Sequence, residues 1–330
     1  MTDRFSDIFP EQPKGSVWQR FAAPVSTRVI HGAGRLLGRT AYLLDIRHRR
    51  IVKRNLQFAF PEKSKDEVRA IASKVFQHYG ITVLEIIQSS WCRPETLLRR
   101  ITEVEGREHL DALESDTGTI LVSAHIGNWE MANLFTTAVL SRPLVAVARS
   151  IRNPALEKAL VWFRTRFGGE LINKKGAMPE MRRVLKQGRT LALLVDQGAK
   201  AGEGVRVRFF NREVRAHAVV AVLALRYGCT VVPAYCVREG RGFRAVIEPP
   251  IRIERTGDLR ADIVSNTQKV QDVMERAIRR YPEQWFWFHK RWRTFYPELY
   301  KKEIERKKRQ RERRIRKKGK GPEKTGGDDA

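Results

Sequence analysis

Cysteine is scarce. Cys92, Cys229 and Cys236 are the only three in 330 residues, and they form no Cys-x-x-Cys pair or Cys/His cluster. A disulfide scaffold and a structural zinc site are therefore excluded, and a reducing compartment is the expectation. Acidic side chains are also few, with 37 Asp plus Glu against 64 Lys plus Arg and a formal net charge of +27. No apolar run approaches the roughly 20 residues needed to span a bilayer. Met1 to Gly15 carries Asp3, Asp7 and Glu11 and lacks an apolar stretch, so no secretory signal is expected there. No Gly-x-Ser-x-Gly elbow occurs and no cysteine sits in a suitable setting, which argues against a covalent nucleophile.

Hydrophobic residues make up 42 % of the chain and aromatics 9 %, which is ample for one large domain or two ordinary ones. The segment 301–330 carries 14 Lys/Arg and 6 Asp/Glu, or +8, leaving +19 for residues 1–300. Such an excess favours a polyanionic partner: nucleic acid, an anionic membrane surface or an acidic carrier protein. Lys301 to Lys320 is charged on all sides and rich in helix formers, and reads as a solvated, fraying helix running into disorder. An electrostatic membrane tether and nucleic-acid contact are the alternatives for it.

From Trp18 to Leu44, a helical period places Trp18, Phe21, Val25, Val29, Ala33, Leu36, Leu37, Leu43 and Leu44 on one face. Pro24 divides this helix or begins its second part. Arg28, Arg35, Arg39 and Asp45 interrupt the apolar stretches, so the segment can lie on a membrane but not cross one. The plain alternative is that its apolar face packs on the protein's own core. Arg47, Arg49, Arg50, Lys53 and Arg54 follow as a cluster suited to lipid phosphates.

Residues 51–100 look mainly helical, with Pro61 and Pro94 as punctuation. Beyond them strands and helices alternate. Thr119–Ala124, Leu144–Ala148, Leu171–Asn173, Thr190–Val195 and Thr230–Val237 read as strands, and Trp129–Leu140, Pro154–Phe167, Met178–Gln187 and His217–Tyr227 as helices. The expectation is an α/β fold with a mostly parallel central sheet flanked by helices, and a helical N-terminal region packed against it.

The sharpest local feature is SAHIGNWE, Ser123 to Glu130, which follows a buried strand and opens a helix, where ligands gather in α/β sheets. His125 and Glu130 are five positions apart with Gly127 between them. A turn into a helix can bring imidazole and carboxylate together; the carboxylate would fix the tautomer and raise the basicity of the other ring nitrogen, as removal of an alcohol proton requires. Asn128 and the free N–H groups of the helix are candidates to hold an anionic oxygen. A satisfied structural histidine is the alternative for a bare His-x4-Glu spacing, and the lone His217 and His289 are read as structural.

HIGNWE resembles the His-x4-Asp/Glu box of the lysophospholipid acyltransferase superfamily, in the form of the lipid A biosynthesis (lauroyl/myristoyl) acyltransferase family. RNLQFAFPE (Arg54–Glu62), VARSIRNP (Val147–Pro154), RTRFGGELI (Arg164–Ile172), LKQG (Leu185–Gly188), LLVDQ (Leu193–Gln197), VRFF (Val207–Phe210), TVVPAY (Thr230–Tyr235) and PEQWFWFHKRW (Pro282–Trp292) agree with that family in order. The resemblance covers residues 50 to 295. It implies a glycerolipid acyltransferase-like fold and transfer of a fatty acyl chain, without a resident cofactor or metal, from an acyl carrier protein or acyl-coenzyme A to a hydroxyl of a membrane glycolipid such as a lipid A precursor. His125 would be the base, Glu130 its orienting partner, and Arg149 a ligand for phosphate or the oxyanion. Asp196 and Gln197 would shape the acceptor pocket, and Arg164 and Arg166 would join the anion-binding cluster. Residues 1–100 then form a membrane-proximal helical region, 101–298 the acyltransferase domain and 299–330 a basic tail. The place expected is the cytoplasmic face of a bacterial inner membrane, reached through the amphipathic helix.

Related acceptors such as lysophospholipids or mannosylated phosphoinositides fit the same box. The aromatic cluster Trp285–Phe288 with Trp292 is read either as closing an acyl tunnel or as a buried final strand with a basic exit. A nucleic-acid-binding protein, which would leave HIGNWE without a purpose, and a lipid-binding protein with an inert site are the readings from other classes.

Overall fold

The computed structural model describes residues 26–306, 309 and 312, apart from 91, 115, 141, 142, 152 and 201. Helix α1 (Thr27–Leu44) starts at Ser26, whose hydroxyl accepts from Val29 N, and stops at Asp45. Asp45 then caps α2 (Ile46–Ala59), its carboxylate accepting from His48 N at 3.0 Å. Helix α3 (Lys65–Ser89) begins with a full capping box between Ser64 and Glu67, and a short α4 (Pro94–Leu98) follows.

Helix α1 turns Gly34 and Gly38 inward, and its leucines remain in solvent. A Cβ at Gly34 would meet Ile81 Cα of α3 at 2.5 Å, one at Gly38 would meet Phe76 O at 2.3 Å, and one at Gly80 would meet Gly34 O at 2.2 Å. Backbones this close leave no space for large side chains at the crossing. Leu36 is 67 % exposed, Leu43 65 % and Leu44 77 %, with Val29 and Leu37 also exposed. The apolar face of α1 therefore does not pack on the protein's own core. Trp18, Phe21, Pro24 and Val25 lie outside the described residues. No helix among the described residues is long and apolar enough to cross a membrane.

Seven strands form the central sheet: β1 (Ile101–Glu105), β2 (Thr119–Ser123), β3 (Val145–Ala148), β4 (Glu170–Asn173), β5 (Thr190–Leu194), β8 (Thr230–Glu239) and β9 (Gly242–Ile247). Their order is β1-β9-β8-β2-β5-β3-β4. All neighbouring pairs are parallel except β8 with β9. Strand β2, TILVS, is buried at every position, as suits an apolar run between two parallel neighbours. The flanking helices are α5 (Trp129–Val139), α6 (Pro154–Thr165), α7 (Met178–Lys186), α8 (Val219–Tyr227) and the long α9 (Leu259–Arg280). The α/β architecture with a mostly parallel sheet is thus as expected from the alternation.

A separate hairpin, β6 (Val205–Phe209) with β7 (Arg212–Ala216), has no counterpart among the expected elements. Its loop residues Phe210 and Asn211 both have positive φ, 52° and 55°. This is the two-residue geometry that matches strand twist. A phenylalanine in the position usually held by Asn or Gly hides the turn in the sequence.

The cluster Trp285–Trp292 is not a strand. It is irregular backbone with one bridge, Ile126 to Trp285. Trp285, Trp287 and Trp292 are buried in the main core, and the intervening Phe286 and Phe288 lie against Tyr79 on the other side. Asn55 fastens the segment, its amide donating to Trp287 O at 2.7 Å and His289 O at 2.8 Å while Tyr300 donates to its Oδ1 at 2.6 Å. RNLQFAFPE and PEQWFWFHKRW thus meet in space. Residues 301–306 are helical, and the tail from 313 onward lies outside the described residues.

Candidate active site

Strand register builds the site. β2 and β5 are parallel with Ser123 opposite Leu194, and Val195 N donates to Ser123 O at 2.9 Å, so His125 and Asp196, each two positions further along its strand, face one another at the carboxyl edge. His125 Nδ1 donates to Asp196 Oδ1 at 2.8 Å, and His125 N donates to Asp196 Oδ2 at 3.0 Å. Trp285 Nε1 donates to the same Oδ2 at 2.7 Å. With Nδ1–H committed to the carboxylate, Nε2 is the free acceptor. Gln197 Nε2 stands 3.4 Å from it.

The electrostatics follow from burial set against pairing. Burial alone would raise the Asp196 carboxyl, but the facing His125 and the three hydrogen bonds hold it down at about 2. Burial opposes charge on His125 as well, yet the Asp196 carboxylate outweighs it and raises the imidazole above its ordinary value. The pair is therefore a carboxylate-oriented imidazole whose second nitrogen has the Gln197 amide as its neighbour.

The turn between strand and helix is equally constrained. Gly127 has φ of +59°, and a Cβ there would strike Cys236 O at 1.9 Å. Gly127 N donates to Gln284 O, Asn128 N to Cys236 O, and Phe286 N to His125 O. Tyr79 donates its hydroxyl to His125 O at 3.1 Å. Around the ring, Trp129 and Phe286 have centroids 5.4 and 6.0 Å from His125.

Five expectations need correction. Glu130 does not hold His125: the first turn of α5 directs it toward the last turn of α6, where Arg164 NH2 donates to Oε1 at 2.6 Å and Arg164 Nε to both oxygens at 3.1 Å. Its charge still raises His125 from a distance while that of Arg164 lowers it. Arg164 is accordingly engaged with Glu130 through Nε and NH2. Arg166 is engaged elsewhere too, donating to the carbonyls of Ser89 and Ser90 and lying over the Phe167 ring at 4.1 Å. Asn128 is buried, its Oδ1 accepting from Met131 N as the cap of α5 and its Nδ2 donating to Glu85 Oε2 at 3.1 Å. Asp196, expected in the acceptor pocket, is covered and orients the histidine. Gln197 stands beside the open nitrogen. Arg149 leaves the end of β3 exposed to solvent and forms no ion pair among the described residues.

A buried ionic cluster beneath the turn was not foreseen. Glu85 of α3 takes hydrogen bonds from His31 of α1 at 2.9 Å, from Asn128 and from Arg238 of β8, while His78 bonds Gly127 O at 3.0 Å. Burial opposes its charge, yet Arg238 and His31 hold the Glu85 carboxyl at about 2. Burial and the Arg238 charge push His78 down to about 3. The partners lie on four elements distant in sequence, so no local spacing announces them.

The sequence model of bacterial lipid A biosynthesis acyltransferases matches residues 16–294. The chain belongs to this family. It is similar to the lipid A biosynthesis lauroyltransferase of Escherichia coli, at 30 % identity over 81 % of this chain and 86 % of that protein. The palmitoleoyltransferase of lipid A biosynthesis from the same organism is 25 % identical over 75 % of this chain and 79 % of that protein. A phosphatidylinositol mannoside acyltransferase of Mycobacterium tuberculosis is 25 % identical over 66 % of this chain and 68 % of its own length. As a member of this acyltransferase family, the protein is an acyltransferase, and the His125 turn lies within the matched region.

Proposed function

We propose that this lipid A biosynthesis acyltransferase moves a fatty acyl chain from a thioester of acyl carrier protein or coenzyme A to a hydroxyl of a membrane glycolipid, with His125 as general base. The observation that carries the reading is the Asp196–His125 pair, in which the carboxylate takes the Nδ1 side of a ring that stands between Trp129 and Phe286 and leaves Nε2 to meet a substrate. His125 Nε2 takes the acceptor's hydroxyl proton as its oxygen bonds to the thioester carbonyl carbon. The tetrahedral oxyanion then collapses, the carbon–sulfur bond breaks, and the imidazolium returns the proton to the leaving thiolate. No enzyme-bound acyl group is required.

The acceptor we favour is a lipid A precursor, supported by similarity to two lipid A enzymes of Escherichia coli. A mannosylated phosphoinositide is the second reading, supported by the Mycobacterium tuberculosis relative. The enzyme would sit on the cytoplasmic face of the inner membrane with the exposed leucine face of α1 in the headgroup region. Mass spectrometry of total lipids from cells with the protein intact, deleted or carrying His125→Ala tests this. One lipid should lack one acyl chain in both altered strains; unchanged lipids in both would refute the proposal.

A further inference from the structure

Helix α3 presents His78, Thr82 and Glu85 on one face, beneath the turn that follows His125. The Glu85 carboxylate is buried and every one of its acceptor sites is filled. Oε1 accepts from His31 Nε2 at 2.9 Å and from Arg238 Nε at 3.1 Å, while Oε2 accepts from Asn128 Nδ2 at 3.1 Å and from Arg238 NH2. One oxygen thus holds α1, and the other holds the residue that caps α5. Arg238 can only donate, so its contact with His78 Nδ1 leaves the His78 proton on Nε2, which donates to Gly127 O at 3.0 Å. The backbone of Arg238 adds a second connection, its N–H donating to Gln284 Oε1 while Gln284 O accepts from Gly127 N. Gly127 and Asn128, the second and third residues after His125, are therefore held by groups that converge on Glu85 and Arg238.

At the other end of these bonds lies α1. Its fully buried residues are His31, Gly34 and Gly38, so among them only His31 sends a side chain into the protein. The glycines let the backbones of α1 and α3 touch, whereas His31 ties α1 to the carboxylate that also holds Asn128. We propose that Glu85 is a positioning residue for His125, and that the chain His31, Glu85, Asn128 passes the seating of α1 to the turn that carries the base. The proposal rests on the assignment of His125 as the base and adds what holds that base in place from the side of the exposed leucine helix. A buried network of this kind is stable only when every member is paired, so a displacement of His31 is passed on to its partners. A reacting group displaced by about 1 Å loses about 10²-fold in rate, which makes small movements of the turn count.

The variants that decide the matter cut the chain at its two ends, because Glu85→Gln leaves buried Arg238 without its counter-charge and can unfold the protein. Asn128→Ser keeps a hydroxyl to cap α5 and loses the amide that reaches Glu85. His31→Leu removes the donor on α1, and His31→Gln puts an N–H back. Isotope-edited NMR of the histidine rings in the full chain reads the surroundings of His125 whatever the acceptor is. The His125 signals should shift or broaden in Asn128→Ser and in His31→Leu, and return toward wild type in His31→Gln. For transfer from an acyl-carrier-protein thioester to a lipid A precursor, kcat per folded protein should fall about 10- to 100-fold in Asn128→Ser and His31→Leu. Both KM values and the pH dependence should stay as in wild type, since Asp196 is untouched, and His31→Gln should recover most of the rate. A lowered urea midpoint with wild-type kcat and unmoved His125 signals is the mark of a cluster that only stabilises the fold, and it overturns the proposal. Wild-type kcat in both variants beside an inactive His125→Ala overturns the linkage alone. A His125→Ala protein as fast as wild type overturns the base and the linkage with it.

Discussion

Asp196 accepts from both the backbone N–H and the ring Nδ1–H of His125, so one buried carboxylate fixes the position of the imidazole as well as its tautomer. The relationship is a product of register, since β2 and β5 end opposite one another and the two side chains come next. Trp285 adds a third hydrogen bond to that carboxylate, drawing the C-terminal aromatic segment into the site.

A first prediction concerns rate and pH together. Asp196 raises the His125 pKa, and the base works only when neutral, so acyl transfer should rise with pH through a limb above 6.5. Asp196→Asn removes the charge that raises it, leaving burial to act in the opposite direction. The limb should move down in pH while the maximal rate falls by about 10²- to 10⁴-fold, and His125→Ala should lose a similar factor without any limb. A pH–rate profile of the three proteins decides it; an unmoved limb in Asp196→Asn would show that another group titrates.

A second prediction separates Glu130 from the base. The ion pair to Arg164 ties the first turn of α5 to the last turn of α6, so its main effect should be on stability. Glu130→Ala leaves the guanidinium unpaired and should cost about 3 kcal/mol, the low end for breaking a buried pair because Arg164 keeps a quarter of its side chain in water. Adding Arg164→Met should recover part of that loss. Urea unfolding of the single and double variants checks it, and strict additivity would argue that the pair is not coupled.

Acid should weaken the fold before the carboxylates titrate. His78 is held neutral down to about 3 and His289 down to about 4, both chiefly by burial, against about 6.5 when the chain is unfolded. The unfolded state thus binds more protons between those values. The stability these two histidines contribute is complete above pH 6.5 and is lost as pH falls toward 4 and 3. Asp196 and Glu85, held at about 2, add their own loss only below about 4.5. His125 has the opposite sign: its contribution is present below 6.5 and lost as pH rises through its raised value. Unfolding free energy measured from pH 7 to pH 4 should fall by a few kcal/mol, and His78→Gln should flatten the decline.

Much of the architecture was legible because its elements are locally complete. TILVS is an unbroken apolar run, and the helices after β2, β3 and β4 carry their own amphipathic period. The hairpin escaped because Phe210 takes a positive φ without the usual Asn or Gly, β1 because its edge position needs no continuous apolar run, and β9 because Arg244 interrupts its apolar run. His125 and Asp196 were both singled out, yet the carboxylate assigned to the histidine was its sequence neighbour Glu130. Spacing along one chain reports a helical turn well; it cannot report which strand lies beside which. The same limit hid Glu85, Arg238, His78 and His31, whose cluster joins α1, α3 and β8 to the His125 turn.

The geometry of α1 yields a last prediction, about the membrane. Gly34 and Gly38 press on α3 at Gly80, and this close crossing leaves Leu36, Leu43 and Leu44 outward with Arg28, Arg35 and Arg39 on the same helix. A fully buried leucine is worth about 1.5–3 kcal/mol when removed from water, and anionic headgroups add attraction for each nearby cation. Leu36→Asp/Leu43→Asp should therefore reduce sedimentation with anionic phospholipid vesicles by tenfold or more, without changing the unfolding midpoint, since neither side chain packs on the protein. Gly38→Ala should do the reverse: its Cβ has backbone at 2.3 Å, so the helix crossing must open at a cost of about 1–3 kcal/mol while the leucines stay available to lipid. Vesicle binding unaffected by the double aspartate substitution would show that the leucine face of α1 is not a lipid-binding surface.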